Sequence, residues 1–586
     1  MKGKKILKWS LRILLMLLLI TGGVLFWIDS QLKASRGGGT EVIQTAGLAT
    51  PYETLLIQDV QILASDCSHF VPHQNVLLKD GLISAIMPDS LIPQGVSIVD
   101  GKGQFLIPGL VDSHVHLRAS KNDLYLYLAN GVTGIREMSG NLEHLSWKKE
   151  IVEGALGPDM FVASEKINSK SGFAALFENW TRARINYATE EAAAKKVKEL
   201  SEQGFDALKI SSFLNYDMHK ATLKYAEQYE LPVVGHIPYD VGLNRFYASG
   251  QAEIAHIEEL TKGVIWQYGG YGPDNAEEFL QHLRSQSDSI AAQVKQNGIP
   301  VSTTLALMES LPGQKVDLAS EIKGLPIEYV NPIFIEGNYM VKGWLPGNNH
   351  YEEPEAVRTD PGMRQRSQIF WRAYVEALHI MIAALQKYEV PILAGTDANT
   401  PLMAPGFSLH AELVSLANAS LSNAEVLYSA TAAAGDWMQS NTGRIKPGYR
   451  ADLLLLSQNP LEDIQNIQTI ERVFSGQYWL DRQQLDGILA AVKEVNDAAR
   501  SVDLTAEVFS GPPDSYRDRR TPISMGPTGR APLPITSVKA KYFGMAQIRR
   551  RATDYNSSNC LLNQSPWMPL SEASSSCCSL GSAFLR

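Results

Sequence analysis

Short apolar runs separated by longer stretches of mixed polarity dominate the middle of the chain. They fall at Gly131–Met138, Met160–Ser164, Ala207–Ile210, Pro232–His236, Glu253–Ile257, Val301–Met308 and Pro391–Thr396, and an earlier one, Leu106–Leu117, precedes them. Between several of them apolar residues recur at helical spacing, most clearly over Glu190–Gln203, Tyr216–Tyr229 and Gln365–Lys387. A short unbroken apolar run suits a strand buried on both faces, and such strands alternate with helices where the sheet is parallel. Eight of them predict an α/β chain folded as a (β/α)8 barrel of the TIM type. The flanks have a different period. Leu55–Leu63, Asn75–Lys79 and Leu82–Ile86 are β-rich, with Asp80-Gly81 as a hairpin turn, and β-rich segments return at Gly443–Leu456 and Ile470–Leu480. They predict a small β-sandwich built from both ends of the chain.

The extreme N-terminus has a third pattern. Lys2, Lys4, Lys5, Lys8 and Arg12 precede an uncharged run from Ile13 to Ile28. As a helix that run would span ~24 Å, close to a bilayer core. The order basic-then-apolar predicts a membrane anchor with its basic end in the cytoplasm and the body exported, periplasmic or extracellular. Secretion after signal cleavage is the alternative, although cleavage after Ala34 would set Leu32 where a small residue is wanted. The expected organisation is therefore 1–30 anchor or signal, 31–53 linker, 54–107 first part of the sandwich, 108–440 barrel, 441–485 second part of the sandwich, and 486–586 a helix followed by a disordered tail. Within the barrel, 309–367 lacks a clear period and is rich in Pro, Gly and aromatics. Following strand seven, it is expected to be an ordered lid over the active-site face.

Composition narrows the function. The chain has 586 residues, 45% hydrophobic and 20% charged, which suits a globular protein with a substantial core. A net charge of -9 argues against a nucleic-acid partner. Of its four cysteines, Cys67 stands alone in the body, and Cys560, Cys577 and Cys578 lie in the tail, so neither a disulfide framework nor a Cys-rich zinc site is implied.

The candidate chemistry lies where the predicted strands end. His114 and His116 stand two apart, and in a strand positions i and i+2 share a face. Lys209 closes strand four, His236 strand five, His256 strand six, and Asp397 strand eight. Each alone has an ordinary reading, as a satisfied core histidine, a solvent-reaching lysine or a turn aspartate. Together, at the end of a barrel where active sites lie, they point to a metal centre. Histidines, a carboxylate and a bridging anion suit Zn²⁺ or another first-row divalent ion.

These motifs resemble the amidohydrolase superfamily, in its imidazolonepropionase-like and prolidase-like branch. The matching pieces are Pro108-Gly109-Leu110-Val111-Asp112-Ser113-His114-Val115-His116, Gly131-Val132-Thr133, Leu208-Lys209-Ile210, Gly235-His236-Ile237-Pro238, Ala255-His256-Ile257-Glu258 and Ala394-Gly395-Thr396-Asp397-Ala398, with Pro405–His410 and Lys446–Leu453 beyond them. The resemblance implies two metal ions. His114, His116 and Asp397 would bind the more buried one, His236 and His256 the second, and Lys209, carboxylated by CO₂, would bridge them. Asp397 would be the catalytic base for a metal-activated water, cleaving a C–N amide bond in a small peptide or N-acyl-amino acid. Arg136, Tyr239 and His410 are candidate substrate contacts. Assembly into homo-oligomers is left open.

Three rival readings are carried with it: a cyclic amide hydrolase, a deaminase of the same superfamily, and a non-catalytic metal-binding barrel. Deaminases of the superfamily lack the bridging lysine and place a Glu soon after the strand-five histidine, whereas His236 is followed by Ile237-Pro238-Tyr239-Asp240. Two further departures from the branch stand out. Strand three runs into Ser164, Glu165, Lys166 and Asn168 without a histidine, and Arg136-Glu137 replaces the branch's usual Arg-Asp after strand two.

Overall fold

In the computed structural model, which describes residues 2–504, the eight apolar runs supply eight short parallel strands. They are β1 (Leu110–Val115), β2 (Val132–Glu137), β3 (Asp159–Val162), β4 (Leu208–Ile210), β5 (Val233–Gly235), β6 (Ile254–Ala255), β7 (Val301–Ser302) and β8 (Ile392–Leu393). Every residue of β1 and β2 is buried, as an unbroken apolar sequence requires. The ring β1-β2-β3 continues to β4 through a bridge between Ala163 and Ala207, then to β5. Ala252 N donates to Val233 O across the β5–β6 gap, and β6-β7-β8 pair in parallel. A bridge from Ala398 to Val115 returns the ring to β1.

Local signals set the helices between strands. Thr189 caps Glu190–Gln203 and the left-handed Gly204 ends it. Asp360 caps Pro361–Lys387, which starts four residues before the expected Gln365. The run Val301–Met308 is corrected: only Val301-Ser302 is strand, and Leu305–Val316 is helix. An apolar run without a period does not distinguish a buried strand from a buried helix.

The flanking segments meet in one nine-stranded sheet rather than two stacked sheets. Phe105–Pro108 pairs with Thr54–Leu63 on one side and Leu453–Leu456 on the other, joining the two ends of the chain. The edge strand Leu82–Pro88 then curls back to a bridge between Leu82 and Arg450, with Ile83 N donating to Tyr449 O. The sheet wraps its own core of Leu55, Ile57, Leu106, Leu453, Leu455 and Phe474.

The N-terminal run forms helix α1 (Lys2–Lys33), the one helix among the described residues long and apolar enough to cross a membrane. The expected linker 31–53 does not hang free. Asn331 Nδ2 donates to Gly37 O at 3.0 Å, Ala119 N to Arg36 O, and Ile43 N to Asn122 Oδ1. Gly37 has φ 102, and a Cβ there would lie 3.1 Å from Phe334 and Ser120, so this seat requires glycine. The expected lid 309–367 is ordered into short helices, including Pro332–Glu336 and Glu355–Thr359, with Phe334, Trp344 and Tyr351 buried. The closing helix, Arg482–Ala499, starts four residues before residue 486, on a capping box at Asp481. The expected disordered tail lies outside the described residues, save for its first few.

Candidate metal centre

β1 delivers His114 and His116 at its C-terminal end, both buried. β8 brings Asp397 alongside: Asp397 N donates to His114 O at 2.8 Å. Such close passage depends on Gly395, where a Cβ would lie 2.8 Å from that of His114. Asp112 ties the same two strands, accepting from His114 N, Thr396 N and Thr396 Oγ1. As a result Asp397 Oδ1 is 2.9 Å from His116 Nε2 and 3.6 Å from His114 Nε2.

The other predicted residues converge on this group. The His256 ring lies 4.4 Å from that of His114, and the His236 ring 5.0 Å from that of His256. Lys209 Nζ is 3.4 Å from His114 Nε2 and fully buried. Asp397 and His256 take left-handed φ values of 56 and 75, conformations that a non-glycine residue keeps only where its surroundings hold it there.

The donor chemistry fits a divalent cation. His114, His116 and Asp397 each offer a ligand atom, all within 4.8 Å of one another. Among the described residues, His256 Nε2 and Asp397 Oδ2 are buried without a hydrogen-bond partner, a costly state for polar atoms that a cation would relieve. His256 Nδ1 is engaged by Thr304 Oγ1 at 2.9 Å, which orients the ring and leaves Nε2 toward the cluster. Burial first, and neighbouring positive charge after it, hold His114 and His236 well below the ordinary histidine range, and burial does the same for His256 against the opposing charge of Asp397, so all three stand as neutral imidazoles. Burial alone would raise the Asp397 carboxyl, but contact with His116 outweighs it and keeps Asp397 ionised. Burial, then the charge of Lys166, lowers Lys209 to about 7.

The three expected substrate contacts fare differently. Arg136 is fully buried, with Nη2 paired to Glu253 and its guanidinium 4.0 Å from the centre of the Trp437 ring. Removing it would strand the Glu253 charge. Arg136→Ala should lose about 3–5 kcal/mol of stability in chemical denaturation, and Arg136→Met with Glu253→Leu should recover most of it. His410 is buried, with its Nε2 2.9 Å from the backbone carbonyl of Asn130. Tyr239 is exposed at the rim, beside Phe213 and Trp266.

Several residues near the centre were given no role in the sequence reading. Glu137 accepts from Ser139 N at 2.7 Å and stands 3.6 Å from His116 Nδ1. Lys166, at the start of the separate short strand Lys166–Asn168 that follows β3, is buried, and its charge bears on Lys209 and His236. Arg118 follows His116 by two residues, and Asp397, Glu137 and Tyr351 all act on its charge. Tyr351, from the segment after β7, is fully buried and feels the charge of Asp397. The short step from His116 to Arg118 was a signal available in the sequence. Nothing local marked Tyr351.

Residues 105–478 match the family described as the Amidohydrolase family. The imidazolonepropionase of Klebsiella pneumoniae subsp. pneumoniae is 23% identical over 411 residues, covering 66% of this chain and 87% of that protein. The fold is similar to that of the bottromycin amidohydrolase, with a TM-score of 0.61 at 22% identity, over 79% of this chain and 96% of that one. A prolidase complexed with N-methylphosphonate-L-proline superposes with a TM-score of 0.53 at 18% identity, over 73% of this chain and 100% of that one.

Proposed function

The chain belongs to the amidohydrolase family and is a hydrolase of carbon–nitrogen bonds, and from that premise we propose that it cleaves the amide bond of a small peptide or an N-acyl-amino acid. The observation that carries this reading is the meeting of His114, His116 and Asp397, from the ends of β1 and β8, with ligand atoms within 4.8 Å of one another and the His256 ring from the end of β6 beside them. In this reading His114, His116 and Asp397 hold one divalent ion, His236 and His256 hold a second, and Lys209 spans them as a carbamate. Zn²⁺ is the favoured ion, since neutral imidazoles and carboxylates are its usual oxygen and nitrogen donors. When bound, the ions supply Lewis acidity toward the scissile carbonyl and lower the pKa of water.

The residues of the chain do the rest. Asp397, held ionised, takes the proton from the attacking water and returns it to the leaving nitrogen. Arg118 stands beside the centre with its guanidinium 5.2 Å from the centre of the Phe334 ring. It is the cation suited to a substrate carboxylate, in the role first expected of Arg136. Tyr351 and the segment 309–367 cover the centre and exclude water. A screen of dipeptides, N-acyl-amino acids and cyclic amides with the full chain tests the reading. Hydrolysis of an open-chain amide should vanish on chelation and return with Zn²⁺. Hydrolysis confined to cyclic amides, ammonia release, or metal binding without turnover would each favour a rival.

We also propose that α1 anchors the chain in a membrane with the catalytic body exported. Its outward face is apolar all round, with Trp9 and Trp27 near the two ends of the run. The full chain should sediment with membranes and resist carbonate extraction. Release into the soluble fraction at full length would overturn the anchor.

A further inference from the structure

Helix α2 (Gly172–Arg182) is turned inside out. Phe173, Leu176, Phe177 and Trp180 follow one another at helical spacing and are 80%, 69%, 41% and 36% exposed. The face toward the body carries Glu178, buried and held by Lys170, Asn168 and Asn186. An amphipathic helix on a soluble body packs its apolar stripe inward, and a contiguous apolar patch left outside marks an interaction surface.

The place of α2 identifies what covers the stripe. Trp180 Nε1 donates to Asp29 Oδ1 of α1 at 3.3 Å, and the guanidinium of Arg36 donates to the carbonyl of Thr181. The stripe therefore starts at the foot of α1. From there exposed aromatics continue around the rim. Ser169, just before α2, accepts from Asn215 N and donates to Phe213 O, and Phe213 stands 5.8 Å from Tyr239, which is 6.3 Å from Trp266. On the other side of α1, Tyr339 is exposed with its hydroxyl on Gln31. The rim follows the C-terminal ends of β4, β5 and β6, the end of the barrel that carries His114, His236 and His256.

We propose that α2 and the aromatic rim are a membrane-docking surface. The stripe lies in the headgroup region of the bilayer that α1 enters, and the mouth of the barrel opens toward lipid. Lys170 and Arg182, both ion-paired with Glu178, border the stripe, and Trp and Tyr side chains suit the boundary between apolar and wet layers. The inference rests on the anchored reading for the placement of α1 and goes beyond it by assigning a second, independent contact.

The test uses the full chain in nanodiscs of phosphatidylcholine and phosphatidylglycerol. A benzophenone amino acid replaces Phe177, Leu17 in α1 or Gln296, one residue at a time, and lipid adducts are read by mass spectrometry after irradiation. Gln296 is exposed and ends the helix that leads into β7, at the opposite end of the barrel. The expected result is adducts at 177 in yield comparable to 17, with only background at 296. Adducts at 17 without adducts at 177 would overturn the docking surface and leave the anchor standing. Adducts at 177 without adducts at 17 would keep the surface and remove the anchor. Absence at both positions overturns both. Cross-linking of 177 to a second copy of the chain, in place of lipid, would also overturn the proposal.

Discussion

Lys209→Ala should lower the metal content toward one ion per chain and reduce hydrolysis by roughly a thousandfold or more, the scale seen when a group acting within a catalytic unit is lost. The argument is electrostatic. Lys209 Nζ lies 3.4 Å from His114 Nε2, and an ammonium at that point would repel any cation held by the histidines. His236 and His256 alone supply too few donors for a stable second site. Carboxylation would resolve both difficulties: the neutral amine would bond to the carbon of CO₂, one N–H proton would leave to solvent, and the site would gain an anion with two oxygen donors. Burial favours the neutral amine, lowering Lys209 to about 7. Native mass measurement should show about 44 Da on the intact protein, lost on acidification, as expected of a labile covalent addition. A short carboxylic acid added to Lys209→Ala should restore part of the activity by replacing the missing oxygens. Two ions per chain and undiminished turnover in Lys209→Ala would return the residue to a packing role.

Asp397→Asn should reduce kcat by about 10²–10⁴, the usual cost of losing a general base. The asparagine oxygen can still approach a cation, so metal loss should be smaller than rate loss. This split separates proton transfer from simple ligation, since Asp397 is proposed to do both. Its carboxylate is kept ionised by contact with His116 at 2.9 Å, and it is reached only because Gly395 lets β8 pass close to His114. Normal metal content with nearly full kcat in the variant would remove Asp397 from proton transfer. Gly395→Ala offers an independent check, because it should disturb metal content and kcat together by displacing β1 from β8.

Much of the barrel was legible because a closed parallel sheet buries both faces of its strands. That demands unbroken apolar runs, and any polar residue at the end of such a run stands out. His114, His116, Lys209, His236, His256 and Asp397 stand out in this way, and they lie near one another at one end of the ring. Capping residues such as Thr189 and Asp360 were equally local, and the helices they start lie close to where periodicity put them.

What remained hidden depended on partners distant in sequence. Arg136 and Arg118 both lie near strand ends, and only the tertiary structure shows that Arg136 is buried against Glu253, 117 positions away, while Arg118 is half-buried. The flanking strands were visible as strands, yet the bridge from Leu82 to Arg450 makes them one curled sheet. Tyr351 reaches the neighbourhood of Asp397 because of the path of its whole segment. Helix α2 shows the limit most plainly. The spacing of Phe173, Leu176, Phe177 and Trp180 is enough to define an apolar face, since 3.6 residues per turn is a property of the backbone. Which way that face turns is a property of the neighbours, and here Lys170, Asn168 and Asn186 hold Glu178 inward and leave the apolar face outside.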